Sequence, residues 1–273
     1  MRYRKPHRIK KKKLIFSSRF FWLSTFTFTF IIFLIYFLFF SQFFQVKKII
    51  VTGDVKISKE DIKALVENNL NTKILFFSTK SIFAVNFHNR IKENLTSSLL
   101  QVATVEIHKS FPETLNIIVV ERLGLAIFCQ NINQPDEISS EECFLIDQEG
   151  IAFEEVLRDN YQLPKLKISN FNKLELGENI VEGDLLFKIL EIFSKLNEIK
   201  ISTKELLIIS EERINVITLD GWEIYFNPKR DLDWQLTKLR AVLQEYIPLE
   251  EREDLEYIEL RFGDLAPFKY QTE

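Results

Sequence analysis

Residues 102–122 read VATVEIHKSFPETLNIIVVER and predict two adjacent β-strands with a turn between them. Apolar and polar residues alternate in both halves, as they do in strands that bury one face. The alternating apolar residues are Val105, Ile107, Leu115, Ile117 and Val119. Phe111 and Pro112 fall between the two runs, where proline favours a turn. This stretch therefore predicts a pair of strands joined by a short connection.

Three further elements are predicted upstream of this pair. The run VKKIIVT at 46–52 is rich in β-branched residues and is ended by Gly53, which is typical of a strand. Ser58 is a natural N-cap for a helix with apolar residues at helical spacing, and a second apolar stripe follows. The two stripes are Ile62, Leu65, Val66 and Leu70, and Phe83, Phe87, Ile91 and Leu95. The order strand–helix–helix–strand–strand predicts a small α+β unit that closes near Arg122.

A long uncharged segment precedes this unit. Residues 20–46 carry no charged side chain and include FFWLSTFTFTFIIFLIYFLFF. A helix of ~25 residues rises about 37 Å and covers a hydrocarbon core of about 30 Å. A buried core helix is rarely apolar on every face. A cleaved signal peptide has a small-residue cleavage site, which SQFFQ at 41–45 does not offer. The segment therefore predicts an uncleaved transmembrane helix at 20–44.

Charge is distributed unevenly along the 273 residues. Of the 36 basic residues, nine lie within residues 1–19, which contain no acid. They are Arg2, Arg4, Lys5, Arg8, Lys10, Lys11, Lys12, Lys13 and Arg19. This bias predicts a cytoplasmic tail at 1–19 and an exoplasmic C-terminal part. The remaining residues hold 27 basic and 39 acidic side chains, a net charge of −12, which argues against a nucleic-acid partner.

The second half of the chain has a different pattern of predicted elements. Strands are predicted at 125–129, 143–146, 151–154, 214–218, 222–226 and 256–262, and helices at 184–199 and 232–246. Asp220-Gly221 predicts a hairpin with a type I′ turn. A short extended tail follows at 267–270. The chain is therefore predicted to be an α+β protein, with a mixed β domain and flanking helices at 123–270.

The two cysteines lie at the ends of one predicted polar loop. Cys129 and Cys143 both belong to the exoplasmic part, where a disulfide is permitted. Two unrelated buried thiols are an alternative, and the strand register could also place the sulfurs on opposite faces. Both interpretations remain open from the sequence.

Residue patterns that carry catalytic or cofactor chemistry are not found in the sequence. His7, His88 and His108 have no nearby cysteine or clustered carboxylates at ligand spacing. The sequence contains no serine nucleophile elbow and no glycine-rich phosphate loop. We therefore expect no enzyme activity, no metal, no cofactor and no small-molecule substrate.

Four segments together resemble the FtsQ/DivIB family. The segment VKKIIVTGDVKISKEDI at 46–62 is similar to the family's opening strand and first helix, and 102–122 to its closing strands. CFLIDQEGIAF at 143–153 resembles the V-D-x-x-G hairpin, and YIELRFG at 257–263 resembles the closing Y-V-D-L-R-aromatic strand. They follow a basic tail and a single span in the family's order. Phe226-Asn227-Pro228, where the family has Leu-Gly, and the cysteine pair depart from that pattern.

The resemblance implies a POTRA domain at 46–122 and a non-enzymatic membrane scaffold of the bacterial division machinery. Such a protein recruits FtsB and FtsL and links them to septal peptidoglycan synthesis, from the inner membrane at the division site. The implied partner site lies on a C-terminal edge strand, where a segment of another protein can add a strand. The implied residues are Arg261, Phe262, Tyr270 and, with less support, Arg213. Alternatively, Phe262 is a core aromatic and Arg261 a solvated surface charge.

Two other classes of function compete with this interpretation. Another POTRA-bearing membrane protein would act in secretion or envelope protein transport, but such proteins usually carry repeated POTRA units or a barrel, which the sequence does not show. A membrane-anchored enzyme comes third, because no catalytic motif supports it. Filamentous cells on depletion would favour division, and a secretion defect would favour the first alternative.

Overall fold

The structure, a computed structural model, describes residues 19–53, 56–70, 72–74, 77–83, 87–132, 140–156, 162–169 and 173–271. The predicted basic tail up to residue 18, His7 and the centre of the predicted polar loop lie outside these residues, and so does the side chain of His88. The chain divides into two compact units. One contains the residues up to Ser98 together with Thr104–Val120, and the other contains Leu99–Ala103 and Glu121–Glu273.

The first unit begins with helix α1, Arg19–Phe40, none of whose residues is buried. It is the one helix among the described residues that is long and apolar enough to cross a membrane. The helix ends at Phe40, four residues before the predicted end of the span. Ser41 instead starts a 3₁₀ turn, Gln42–Phe44, by accepting a hydrogen bond from Phe43 N at 3.3 Å.

The rest of the first unit is a three-stranded sheet, a small hairpin and two helices. The elements are β1 Lys48–Thr52, α2 Lys59–Asn69, β2 Thr72–Ile74, β3 Phe77–Thr79, α3 Phe87–Ser98, β4 Val102–Ser110 and β5 Thr114–Glu121. The sheet order is β1-β5-β4, with β1 parallel to β5. The core consists of apolar side chains from both helices and both long strands, including Ile62, Val66, Ile91, Leu95, Leu115 and Ile117.

The predicted β-α-α-β-β order is confirmed, with three differences of detail. The hairpin β2–β3 lies between the helices and was not predicted, because strands of three residues are too short to show alternation. Helix α3 begins at Phe87 and not near Phe83. Ser58 is the N-cap residue of α2 as predicted, but its hydroxyl bonds the Glu60 carboxylate at 3.1 Å and caps no backbone N–H.

The second unit is built on a nine-stranded mixed sheet. Its strands are β6 Ala126–Ile132, β7 Ser140–Ile146, β8 Ala152–Glu155, β9 Lys165–Ile168, β10 Thr203–Ser210, β11 Arg213–Thr218, β12 Glu223–Phe226, β13 Leu255–Glu259 and β14 Phe268–Tyr270. The strand order is β14-β13-β12-β11-β10-β9-β6-β7-β8. Helices α4, Gly183–Glu198, and α5, Leu232–Glu245, complete an α+β unit. The predicted α+β fold class is thus confirmed.

The two helices bury their apolar stripes in one core with the sheet. Leu186 and Ile189 of α4 and Leu236 and Leu239 of α5 are at most 2% exposed and share a cluster with Trp222. Burial of such side chains contributes about 1.5–3 kcal/mol each before entropy is counted, so this layer stabilises the unit. The opposite face of the sheet carries the polar and aromatic residues that form part of the candidate site.

The hairpin of β11 and β12 is present, but its turn is not of type I′. Only Gly221 has a positive φ, 98°, and Asp220 does not. A type I′ turn requires φ > 0 at both central residues. The loop is longer than predicted because Trp222, 1% exposed, belongs to the turn, where its carbonyl accepts Thr218 N at 2.9 Å.

The edge position predicted for YIELRFG is wrong. Strand β13 ends at Glu259 and has β12 on one side and β14 on the other, so it lies second from the edge. The predicted extended tail is itself the edge strand, β14. The chain turns back at Gly263, whose φ is 41°, and pairs Phe268 with Ile258. A pattern of alternation could not predict this, because the returning strand has only three residues.

Candidate functional site

The outer side of β14 is open. On its inner side, Glu259 N donates to Pro267 O and Gln271 N donates to Asp254 O, both at 2.8 Å. Backbone groups of alternate residues in a strand point to the same side. The backbone groups of Phe268 therefore point outward, away from β13, and no described strand pairs with that side.

The other end of the sheet is partly covered. The segment 177–180 bonds the outer side of Ala152, the first residue of β8, and of the two residues before it. Gly177 N donates to Ala152 O at 2.7 Å, and Ala152 N donates to Glu178 O at 3.0 Å. Unpaired strand edges invite the addition of another strand. Of the two ends of this sheet, β14 is therefore the one suited to strand addition.

Beside this edge lies a group of side chains that we call the arginine–aromatic cluster: Arg213, Tyr225, Tyr257, Arg261 and Phe262. It occupies the sheet face opposite the helices. The guanidinium carbon of Arg213 lies 4.7 Å from the centre of the Tyr225 ring, and that of Arg261 lies 4.9 Å from the Phe262 ring. The rings of Tyr225 and Tyr257 stack with centres 5.0 Å apart. Three of the four predicted site residues thus come together here.

The two arginines of the cluster differ in electrostatic environment. Arg261 forms a salt bridge with Glu259 at 2.5 Å, and this hydrogen bond raises the pKa of the guanidinium. Arg213 donates from Nε to Asn215 Oδ1 at 2.9 Å and forms no ion pair with a described carboxylate. Burial, with nearby Glu223, raises the pKa of Tyr225, so its hydroxyl stays neutral. Arg213 is therefore the cation of this cluster that can take an acidic partner.

The exposed fractions of Phe262 and Arg261 exclude the alternative role that the sequence left open for each residue. The Phe262 side chain is 59% exposed, so it is not a core aromatic. The Arg261 side chain is 18% exposed and its partner Glu259 is 9% exposed, so Arg261 is not a solvated surface charge. Phe262 presents an apolar surface to a partner, whereas Arg261 is held by the fold.

The fourth predicted residue, Tyr270, lies apart from the cluster. It packs on the helix side of the sheet edge, with its ring centre 5.7 Å from that of Phe268. Its hydroxyl donates to Glu251 Oε2 at 2.8 Å, and this bond raises the Tyr270 pKa. An apolar groove of 610 Å³ lies next to it, between α5 and the start of β14. Its lining includes Trp234, Tyr246, Leu265, Ala266 and Phe268.

One buried lysine holds the loop that carries this edge. Lys238 in α5 is 6% exposed, and the three N–H groups of its Nζ are shared among four carbonyl oxygens of the β13–β14 loop, at 2.8–3.3 Å. The acceptors are Leu260, Phe262, Gly263 and Leu265. Burial lowers the pKa of Lys238, and the four carbonyl dipoles offset the cost of desolvation. The sequence gives no sign of this role, because Lys238 fits an amphipathic helix like any surface lysine.

The carboxylate of Asp147 organises the turn formed by the segment that resembles V-D-x-x-G. Asp147 accepts from the backbone N–H groups of Glu149 and Ile151 at 2.9 and 3.0 Å, and it forms a buried ion pair with Arg122. Gly150 has φ 77°, and a Cβ there would collide with Val181 O. The motif therefore encodes a turn that only glycine permits, and it has a structural role.

Cys129 and Cys143 lie directly opposite each other in β6 and β7 and are bonded. Glu141 lies near both sulfurs, but bonded sulfurs offer no thiolate to a metal, and its carboxylate pairs with Lys167 at 2.8 Å. His108 is exposed and lies 3.4 Å from Glu106. The contacts of the disulfide, Glu141 and His108 are those of residues with structural roles.

Comparison with known proteins identifies the first unit. Residues 44–122 match the family described as "POTRA domain, FtsQ-type". No curated protein matches the sequence. The apolar helix and this domain are consistent with a single-pass membrane protein that carries a POTRA domain. The match confirms the FtsQ-type POTRA domain that the resemblance implied at residues 46–122.

Proposed function

We propose that this chain is a non-enzymatic scaffold of the bacterial division machinery, which recruits FtsB- and FtsL-like proteins and links them to septal peptidoglycan synthesis. The observation that carries the proposal is the open outer side of β14, in a chain with an FtsQ-type POTRA domain. The rest of the nine-stranded sheet gives this edge a rigid support.

Strand addition explains how such an edge would bind. A partner segment pairs its backbone with the outward groups of Phe268 and Tyr270, which supplies affinity with little dependence on side chains. Side chains on one face of the added strand reach the apolar groove beside Trp234, and those on the other face reach Phe262. Alternate residues of the partner are thus read by different surfaces.

Charge adds a second element of recognition. Because Arg261 is neutralised by Glu259, the positive charge offered to a partner belongs to Arg213. A cation that stacks on the Tyr225 ring keeps its N–H groups oriented for a carboxylate. Since an added strand would lie four strand spacings, about 19 Å, from β11, we expect the acidic residue that meets Arg213 in a part of the partner that crosses the sheet face and not in the added strand itself.

We further propose that the N-terminus is cytoplasmic and that the folded units face the exoplasmic side, at the septum. The nine basic residues before the span support this orientation. Protease added outside spheroplasts should then digest the chain beyond Val46. Full protection of that part would contradict the orientation.

Two variants at one position test the strand addition. Tyr270→Ala removes the side chain and keeps the outward N–H, whereas Tyr270→Pro removes both and is tolerated at an edge strand. We expect Tyr270→Pro to reduce co-purification of FtsB- and FtsL-like proteins well below the level of Tyr270→Ala. Depletion of the chain should give filamentous cells. Equal capture by both variants, or a secretion defect without filaments, would contradict the proposal.

A further inference from the structure

A continuous row of phenylalanine rings connects the end of α1 to the β4–β5 turn. The ring centres of Phe37 and Phe44 are 5.8 Å apart, those of Phe44 and Phe83 are 5.1 Å apart, and those of Phe83 and Phe111 are 5.1 Å apart. Phe43 adjoins Phe44 at 5.0 Å. At the two ends of this surface, Phe43 and Phe111 are each 58% exposed.

The same end of the unit is fixed to the helix by hydrogen bonds. Ser81 Oγ donates to Leu38 O at 2.9 Å, and Thr79 Oγ1 donates to Phe39 O at 2.5 Å. Both residues are at most 2% exposed. These hydroxyls satisfy carbonyls that the end of a helix leaves without partners. The β3 segment is therefore attached to the last turn of α1 and is not tethered by a free linker.

The length of α1 fixes the depth of this attachment. Its 22 residues rise about 33 Å, which is little more than a hydrocarbon core of about 30 Å. The last turn of the helix therefore lies at the membrane–water interface when the helix spans. The groups that contact this turn then also lie at the membrane–water interface. The same holds for the phenylalanine row, which starts at Phe37.

The charge at this end suits a lipid headgroup region. Among the described residues that adjoin these contacts are four lysines and one acid, Glu113, which pairs with Lys47 at 2.6 Å. The lysines are Lys47, Lys48, Lys80 and Lys109. Residues 46–122 carry 11 basic and 8 acidic side chains, so the acidic excess of the chain after residue 19 lies beyond this domain. A local excess of lysine beside exposed aromatic rings is typical of surfaces that rest on anionic lipid.

We propose that Phe44, Phe83 and Phe111 of the phenylalanine row, together with the adjoining Phe43, form a membrane-resting surface that holds the POTRA domain on the lipid interface beside its own span. Phe111 at the β4–β5 turn enters the boundary between headgroups and acyl chains, and the lysines contact anionic headgroups. The inference rests on the span in the proposed function and not on its protein partners.

The test uses the full chain in nanodiscs of phosphatidylethanolamine and phosphatidylglycerol. A cysteine is introduced at Phe111 or, as the control, at Val120, which is 51% exposed and lies at the far end of β5, about 20 Å along the strand. A charged maleimide that does not enter lipid labels each variant, and the parent chain gives the background. We expect F111C to react more slowly than V120C by roughly an order of magnitude, as for a group buried in the interface.

A second probe covers the loss of the Phe111 ring in the first variant. Lys80→Cys leaves all four rings in place and should also react more slowly than V120C. If F111C and K80C are labelled as fast as V120C in a chain held in the discs, the membrane-resting surface is wrong. The transmembrane span is not contradicted by that result. A chain that does not insert into the discs would contradict the transmembrane span itself. An F111C thiol that is open in discs but protected in native membranes would indicate a protein occupant and overturn the lipid assignment.

Discussion

Lys238 Nζ lies 2.8 Å from the carbonyl oxygen of Leu260, and this contact joins the middle of α5 to the end of β13. Three more carbonyls of the same loop surround the ammonium. The loop carries Phe262 on one side and leads to β14 on the other. The buried ammonium of Lys238 therefore holds the backbone that positions Phe262 and β14, the candidate partner surface.

Replacement of Lys238 should loosen this surface. Lys238→Met keeps the aliphatic stem but leaves four carbonyls without their donor, and unsatisfied buried groups cost about 1–3 kcal/mol. We expect the free energy of unfolding to fall by that amount in urea titrations, and partner capture to weaken as well. Lys204→Met, at an exposed position in β10, is the control and should change neither. Wild-type stability and binding in Lys238→Met would show that the four contacts have no such role.

Phe262→Ala is the cleanest side-chain test of the interface. The ring is 59% exposed, so its loss should leave the free energy of unfolding within about 0.5 kcal/mol of the parent. A truncated interface aromatic often costs ~2 kcal/mol of binding, which is roughly a 30-fold loss. Calorimetric titration with the FtsB/FtsL-like partner measures this loss. A folded variant with parental affinity would exclude Phe262 from the interface.

Arg261→Glu should behave differently from Phe262→Ala. It places a second carboxylate against Glu259, a side chain only 9% exposed, and breaks a largely buried ion pair. Such a change costs about 3 kcal/mol. We expect a lower melting temperature in thermal denaturation, whether or not a partner is present. An unchanged melting temperature would show that the pair with Glu259 contributes little.

The contrast between the exposed Phe262 and the buried Arg261 shows which parts of the molecule the sequence could predict. Alternation and helical spacing predicted the two long POTRA strands and the helices α4 and α5, because burial of one face dictates those patterns. The β2–β3 hairpin, β9 and β10 were not predicted, and residues 267–270 were predicted as an extended tail but not as a paired strand, because short or two-sided strands show no clear alternation. Exposure of Phe262 and burial of Arg261 depend on the returning edge strand, and no local pattern encodes that return.

The disulfide gives a prediction of its own. Cys129 and Cys143 are paired in register and separated by 14 residues along the chain. Closing a loop of that size stabilises by about 3 kcal/mol in the chain-entropy model. We expect protein isolated without reductant to show no thiol that reacts with an alkylating reagent after unfolding. The double variant Cys129→Ser/Cys143→Ser should unfold at lower denaturant concentration. Two free thiols in the native protein would contradict the bond.

Strand addition at β14 is tested most directly by hydrogen exchange at the backbone amides of Phe268 and Tyr270. The full chain is measured alone and with the FtsB/FtsL-like partner, and the amide of Lys269, on the inner side of the strand, is the internal control. Addition of a strand predicts slow exchange at Phe268 and Tyr270 only in the complex, since their N–H groups then acquire acceptors. Exchange at both amides that stays as fast in the complex as in the free chain would contradict it.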